Sequence, residues 1–341
     1  MAKRILQVGS GSMGTRRLRD LSARGDLELA LLETREDRRA IAKARFGVQS
    51  FASMEQALQW EPDALIVSTP PGTKHSFVEI ALQNRLHFFC EADIWPFDYR
   101  EVEKEGRTGI VAAPSCTFYF LPAIRELKRI VHEELGALHS YSFVLSTFEK
   151  SWHPDEGKEY YARHRITSPA REMVPFELIG LDYVFGEPLK AAGTVSTRGH
   201  AQMESEDTWC LQMSLDNGGT GQLSVMMASP VTMRKGWAVG SNGSIEFDLL
   251  TGEIKRQFPQ RGCVDTLQCG SIGAVLESVY AQEINAFVEA ARGTKPWPHS
   301  YYKSNMLAAT LAAAERSSVT GMAHRVDPAF LPAQSPDVYE A

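Results

Sequence analysis

Glycines at positions 9, 11 and 14, spaced GxGxxG, and a glutamate at 33 are the first residues whose types and spacing could do chemistry. At this spacing Gly9 allows a tight turn, Gly11 lets a pyrophosphate approach the backbone, and Gly14 lets a helix pack on the preceding strand. Glu33 would accept hydrogen bonds from ribose hydroxyls and repel a 2′-phosphate, so the set favours NAD over NADP. Ser12 and Met13 inside the turn, and Thr34 and Arg35 after the glutamate, belong to the same candidate site. Arg35, Arg38 and Arg39 keep NADP open as a 2′-phosphate clamp; their plainer reading is a solvated helix face. A second group, Ser68, Thr69, Pro70, His75 and Glu91, could surround the rest of such a cofactor. A third stretch, residues 150–182, is dense in ionisable and aromatic side chains. There Trp152, Tyr160, Tyr161, Arg171 and Glu172 have the flat faces and planar hydrogen-bonding groups that a sugar needs.

The elements that must position these residues are legible around them. A short apolar run, Ile5 to Val8, leads into the glycine turn, and a helical pattern follows as far as Gly25. A second apolar run ends at Glu33, a third spans Ala64 to Val67, a helix begins near His75, and Leu86 to Cys90 reads as another strand. Strands alternating with helices imply a doubly wound parallel sheet, an α/β Rossmann domain whose ligands lie at the carboxyl ends of the strands. Farther on, alternation sets Trp209, Leu211, Met213 and Leu215 on one face, and Leu223, Val225 and Met227 on another. These are expected to be antiparallel strands with one buried side. The glycine-rich stretches NGGTGQL and GSNGSIEF read as hairpin turns, because neither introduces a helix. Ile284, Phe287, Val288 and Ala291 form a helical stripe stopped by Gly293. The expected organisation is a Rossmann domain over 1–120, an α+β domain with a predominantly antiparallel open sheet over 121–326, and a proline-rich tail over 327–341.

Composition narrows the function. The 341 residues are 43% hydrophobic and carry a formal charge of −6, so nothing suggests nucleic-acid binding. No run approaches a membrane span. Five scattered cysteines without a CxxC pair point to reduced thiols and a cytoplasmic location. His153 and His164 match no common ligand spacing, and no metal site is expected. An open sheet would leave an outer face to cover, which suggests a homo-oligomer, a dimer or tetramer.

The order of motifs, GSGSMG at 9–14, TPPGTKH at 69–75, HFFCE at 87–91 and LPAIRELKRIVHEELGAL at 121–138, resembles the Gfo/Idh/MocA oxidoreductases, the glucose-fructose oxidoreductase and inositol dehydrogenase family. The resemblance covers roughly residues 3–326. It implies an NAD(P)-dependent reaction at a carbinol carbon of a sugar, sugar acid or nucleotide-sugar. It also implies Glu-Lys-Pro after the HFFC strand, with the lysine beside the nicotinamide, and a histidine and aspartate on a helix of the second domain. Here Glu91 is followed by Ala92 and Asp93, while Phe176 and Ile179 stand at the histidine and aspartate positions. A methyl group cannot hydrogen-bond an alkoxide. Proton transfer would then fall to Glu177, Asp93 or His153; Glu177 alternatively pairs with Arg171 or another base inside an apolar pattern. Two further expectations follow from the missing groups: a catalytically silent sensor of cofactor or sugar, or a lyase or glycosidase that oxidises its substrate transiently.

Overall fold

A computed structural model of the chain describes residues 3–92, 99–106, 109–148, 165–198, 205–327 and 329. The chain divides into two compact units, Met1–Thr117 with Glu277–Lys303, and Phe118–Leu276 with Ser304–Ala341. The division expected at 120 thus falls at Thr117, and residues 277–303 return to the first unit.

In the first unit the elements run β1 (Arg4–Val8), α1 (Ser12–Ser22), β2 (Glu28–Leu32), α2 (Glu36–Phe46), β3 (Gln49–Phe51), α3 (Met54–Leu58), β4 (Ala64–Val67), α4 (Lys74–Gln83), β5 (His87–Cys90), α5 (Tyr99–Gly106) and β6 (Ala112–Pro114). The strands form one sheet in the order β3-β2-β1-β4-β5-β6, every pair parallel. Residues 64–67, ALIV, are fully buried, as expected of a parallel strand covered on both faces. The winding direction reverses between β1 and β4, so the carboxyl ends of these two strands form the topological switch point.

One face packs Leu6, Leu65, Val67, Val78 and Phe88 together. On the other, Ile5, Ile66 and Phe89 meet Ile284, Phe287 and Val288. Trp297 stands edge-on to Phe89 with ring centroids 5.8 Å apart. The apolar stripe at 284–288 is therefore buried in the core of the first unit, which is why the chain comes back to it.

The second unit contains α6 (Pro122–Glu133), β7 (Leu138–Phe148), α7 (Pro169–Phe185), β8 (Pro188–Ser196), β9 (Thr208–Leu215), β10 (Thr220–Met226), β11 (Ala228–Gly240), β12 (Gly243–Asp248), β13 (Glu253–Phe258) and β14 (Cys263–Gln268). The helix α8 (Ile272–Ala291) begins here, and α9 (Tyr301–Thr320) and β15 (His324–Arg325) close the described chain. The sheet order is β14-β13-β12-β11-β7-β10-β9-β8-β15. All pairs are antiparallel except β7 with β10.

The alternating residues of β9 and β10 share a buried face with Tyr141 and Phe143 of β7 and Phe247 of β12. Phe185 of α7 stacks on Tyr141 at 4.4 Å. On the opposite face Trp237 and Val239 are exposed. Both glycine-rich stretches lie at hairpins, between β9 and β10 and between β11 and β12. Among the described residues no helix is long and apolar enough to cross a membrane. The five cysteines, all among the described residues, form no disulfide with one another.

Candidate functional site

The three glycines of the first turn are required for different reasons. Gly9 has φ +82°, and a Cβ there would stand 2.9 Å from the Ser68 carbonyl oxygen. At Gly14 a Cβ would meet the Gly9 carbonyl oxygen at 2.1 Å, so α1 packs on the turn only without a side chain. Gly11 differs: its φ is −65°, and a Cβ would meet no heavy atom within 4 Å. Nothing in the protein's own packing requires glycine at 11. What its absent side chain preserves is open space beside the N-terminus of α1, which has no side-chain cap and no acidic residue in its first turn. Such a helix end is a place for an anion. Gln7, buried inside β1, steadies the turn by donating from Nε2 to the Gly9 carbonyl at 2.9 Å.

Glu33 follows β2 and reaches back to this turn. Oε2 accepts from Ser10 N–H at 3.1 Å and Ser10 Oγ at 2.9 Å, and Oε1 accepts from Arg35 N–H at 3.1 Å. Burial works against its charge, but the bonds from Arg35 and Ser10 and the nearby Arg38 guanidinium hold the carboxyl below the usual range. An ionised acceptor of this kind suits ribose hydroxyls. Thr34 and Arg35 lie just beyond; the Arg35 side chain pairs with Asp37 at 2.6 Å. A cavity of about 540 Å³ opens from the turn, lined by Ser10, Gly11, Ser12, Arg16, Arg38 and Arg45 among others. Arg39 is turned elsewhere, donating to the carbonyls of Glu33 and Thr34 at 2.7 Å. Met13 is partly exposed in the first turn of α1, and Thr69 and Pro70 follow Ser68 at the end of β4.

Glu91, at the carboxyl end of β5, is held rather than free. Arg17 of α1 donates to it from Nε at 2.7 Å and from Nη2 at 3.0 Å, and Ser68 Oγ adds a bond at 3.3 Å. Arg17 is fully buried and also reaches Glu283 of α8 at 2.7 Å. Glu283 further accepts from Ser115 Oγ, Cys116 N–H and Thr117 Oγ1 at 2.8–3.0 Å. This network ties α1, the ends of β4, β5 and β6, and α8 into one support beneath the site. The signal for Glu283 was its place on the apolar stripe of α8, where a charge needs a partner.

The helix after Pro70 presents a different residue from the one the sequence suggested. His75 is exposed and pairs with Glu79 one turn later at 2.8 Å. Lys74, one position earlier, points inward: it is 3% exposed, and its Nζ donates to the carbonyl oxygens of Glu91, at 3.3 Å, and Ala92.

In the second unit Glu177 is buried on α7, and Arg234 of β11 grips both its carboxylate oxygens, with Nε to Oε2 at 3.2 Å and Nη2 to Oε1. Burial pushes the carboxyl up, against the pull of the Arg234 guanidinium. Its partner is therefore Arg234, not Arg171. The Arg234 guanidinium lies over the Phe118 ring at 4.7 Å, and Phe118 in turn packs against Phe176 at 4.9 Å. Arg234 was detectable as a charge at an inward position of an alternating strand.

Arg171 corrects another expectation. It is fully buried, and Nε and Nη2 donate to Glu315 of α9 at 2.7 and 2.8 Å, so it pins α7 to α9. Glu172 is partly exposed in the first turn of α7. Asp93, Trp152, His153, Tyr160 and Tyr161 lie outside the described residues.

A parallel sheet wound 3-2-1-4-5-6, with an open glycine turn, an uncapped helix end and an acceptor after β2, defines a dinucleotide-binding domain. Residues 3–102 match the NAD-binding Rossmann fold of the oxidoreductase family GFO_IDH_MocA. No curated protein matches the chain significantly. Among solved structures, levoglucosan dehydrogenase in complex with NADH aligns with TM-score 0.81 at 16% identity, over 96% of this chain and all of that one. GenD2 from gentamicin A biosynthesis, in complex with NAD, aligns with TM-score 0.77 at 18% identity, over 96% of this chain and 97% of its own. A myo-inositol dehydrogenase from Corynebacterium glutamicum gives 0.75 at 16% identity, over 96% and 100%. These likenesses carry through both units and establish the fold.

Proposed function

We propose that the protein is an NAD-dependent oxidoreductase acting at a carbinol carbon of a sugar, sugar acid or nucleotide-sugar. The observation that carries this reading is Gly11, a glycine that the protein's own packing does not require, beside an uncapped helix N-terminus. Those features fit the cofactor's diphosphate, and Glu33 fits its ribose hydroxyls. When bound, NAD takes up or returns the hydride.

The chain's own residues do the rest. The turn and α1 hold the diphosphate, Ser68 and the clamped Glu91 shape the ends of β4 and β5, and the Arg17–Glu283 support keeps them in register. The named neighbours that act on levoglucosan and myo-inositol favour a polyhydroxylated substrate. Trp152, Tyr160, Tyr161 and Glu172 would supply its polar and aromatic contacts. With Glu177 engaged by Arg234, Asp93 and His153 remain from the proton carriers read in the sequence. A homo-oligomer would cover the open face around Trp237.

The test is the absorbance of reduced nicotinamide after NAD is mixed with the protein and a panel of sugars, sugar acids and nucleotide-sugars, with cofactor affinity measured alongside. Reduction with one class is expected. Tight NAD binding without reduction across the panel would replace this reading with the sensor or with a cycle that has no net redox change.

A further inference from the structure

Glu177 and Arg234 form a charge pair that the packing of the second unit does not require. An apolar pair of similar volume would serve stability as well or better, and α7 packs elsewhere with Val174, Leu178 and Leu181. The pair is also lopsided. Glu177 is sealed, its side chain 1% exposed, and both of its oxygens are spent on Arg234. Arg234 is 14% exposed and spends only Nε and Nη2; its Nη1 bonds to no described residue and is reached by solvent.

The guanidinium lies 4.7 Å from the Phe118 ring centre and 5.9 Å from that of Phe176. Phe176 and Glu172, one turn apart, belong to the few residues of α7 outside its buried set. Both fall within residues 150–182, the stretch whose flat faces and planar groups suit a sugar. A partly exposed ring gives the C–H face of a sugar a surface to lie on. The guanidinium adds a planar fork that matches a carboxylate or a phosphate. Glu177 occupies the edge made by Nε and Nη2, which leaves the edge made by Nη1 and the second hydrogen of Nη2 for another planar acceptor. One guanidinium already shared with Glu177 suits a singly charged carboxylate better than a phosphate near two charges.

We propose that Arg234 anchors the carboxylate of a sugar acid, an inference that rests on the oxidoreductase reading above and names the substrate class within it. Glu177 is then a positioning residue: by gripping one edge of the guanidinium it fixes the direction of the other. The buried pair is kept for its aim and not for its stability.

Calorimetric titration of the protein saturated with NAD tests the class without turnover, with gluconate, glucuronate, glucose 6-phosphate, glucose and myo-inositol as probes. The two carboxylates should bind about tenfold to a hundredfold more tightly than glucose and inositol, the difference that hydrogen bonds to charged groups make. The double variant Glu177→Met/Arg234→Met leaves no charge unpaired, so it should melt no lower than wild type and lose that preference. Glu177→Gln keeps the guanidinium but loosens its aim, and should lose part of the preference. Neutral sugars that bind as tightly as the acids, no binding of either acid, or a preference that survives in the double variant overturns the proposal and leaves Arg234 as the counter-ion of Glu177. Tighter binding of glucose 6-phosphate than of the acids overturns the carboxylate assignment. Nicotinamide absorbance, read in parallel, separates the two readings. Reduction with neutral sugars alone keeps the oxidoreductase and discards the anchor, while tight binding of an acid without reduction keeps the anchor and discards the oxidoreductase.

Discussion

The same change at two glycines of the first turn separates what the fold needs from what the ligand needs. In Gly14→Ala the new methyl would stand 2.1 Å from the Gly9 carbonyl oxygen, where ordinary contact begins near 3.4 Å. The obstacle is backbone, so α1 has to retreat by more than an ångström from a turn that Gln7 and Glu33 hold on the other side. Overpacking of this kind costs about 1–3 kcal/mol, and more where backbone must move. In a unit of this size that lowers the melting temperature by at least several degrees. Gly11→Ala meets no heavy atom within 4 Å, and its φ of −65° suits alanine. Its stability should equal or exceed wild type by about 0.4–1 kcal/mol, because the unfolded chain loses freedom. NAD affinity should drop in both variants, about tenfold or more at Gly11, since the methyl fills the space left for the diphosphate. Thermal unfolding by circular dichroism and NAD titration by fluorescence read the two quantities independently. A Gly11→Ala protein that binds NAD as tightly as wild type refutes the assignment of that space to the cofactor.

Two further outcomes follow from the buried charges of the first unit. Arg17→Met leaves Glu91 and Glu283 without their common cation and should cost about 3–5 kcal/mol in urea unfolding, with partial recovery on adding Glu283→Gln; an unchanged midpoint would refute the network's structural role. Burial, aided by the Lys303 charge, pushes the His299 imidazole down to about 3, so the folded state keeps it neutral while the unfolded state takes up a proton below about pH 6.5. Stability should therefore fall by about 1.4 kcal/mol per pH unit from this group as pH drops from 6.5 toward 3, and His299→Gln should flatten that slope.

Four strands of the first sheet were legible because each ends at a chemical marker: β1 at the glycines, β2 at Glu33, β4 at Ser68-Thr69-Pro70 and β5 at Glu91; β3 and β6, three residues each, carry none. Period-two alternation exposed β9 and β10 for the same reason, one face dry and one wet. The return of residues 277–303 to the first unit was not legible. An apolar stripe such as Ile284, Phe287 and Val288 states that it will be buried, not in which core. That Lys74 rather than His75 is the buried residue at the start of α4 was not legible either. Near a helix start two adjacent residues point about 100° apart, and only the geometry of α4 against β5 decides which one turns inward. Partner choice was hidden as well: Glu177 finds Arg234, 57 positions away, while the nearer Arg171 is taken by Glu315.

A pattern connects these cases. Glu91, Glu177 and Arg171 attract attention in the sequence because they are ionisable residues amid apolar ones, and each proves to be locked to an opposite charge. A carboxylate gripped on both oxygens by a guanidinium is strongly biased toward one protonation state, so it positions its neighbours better than it exchanges protons.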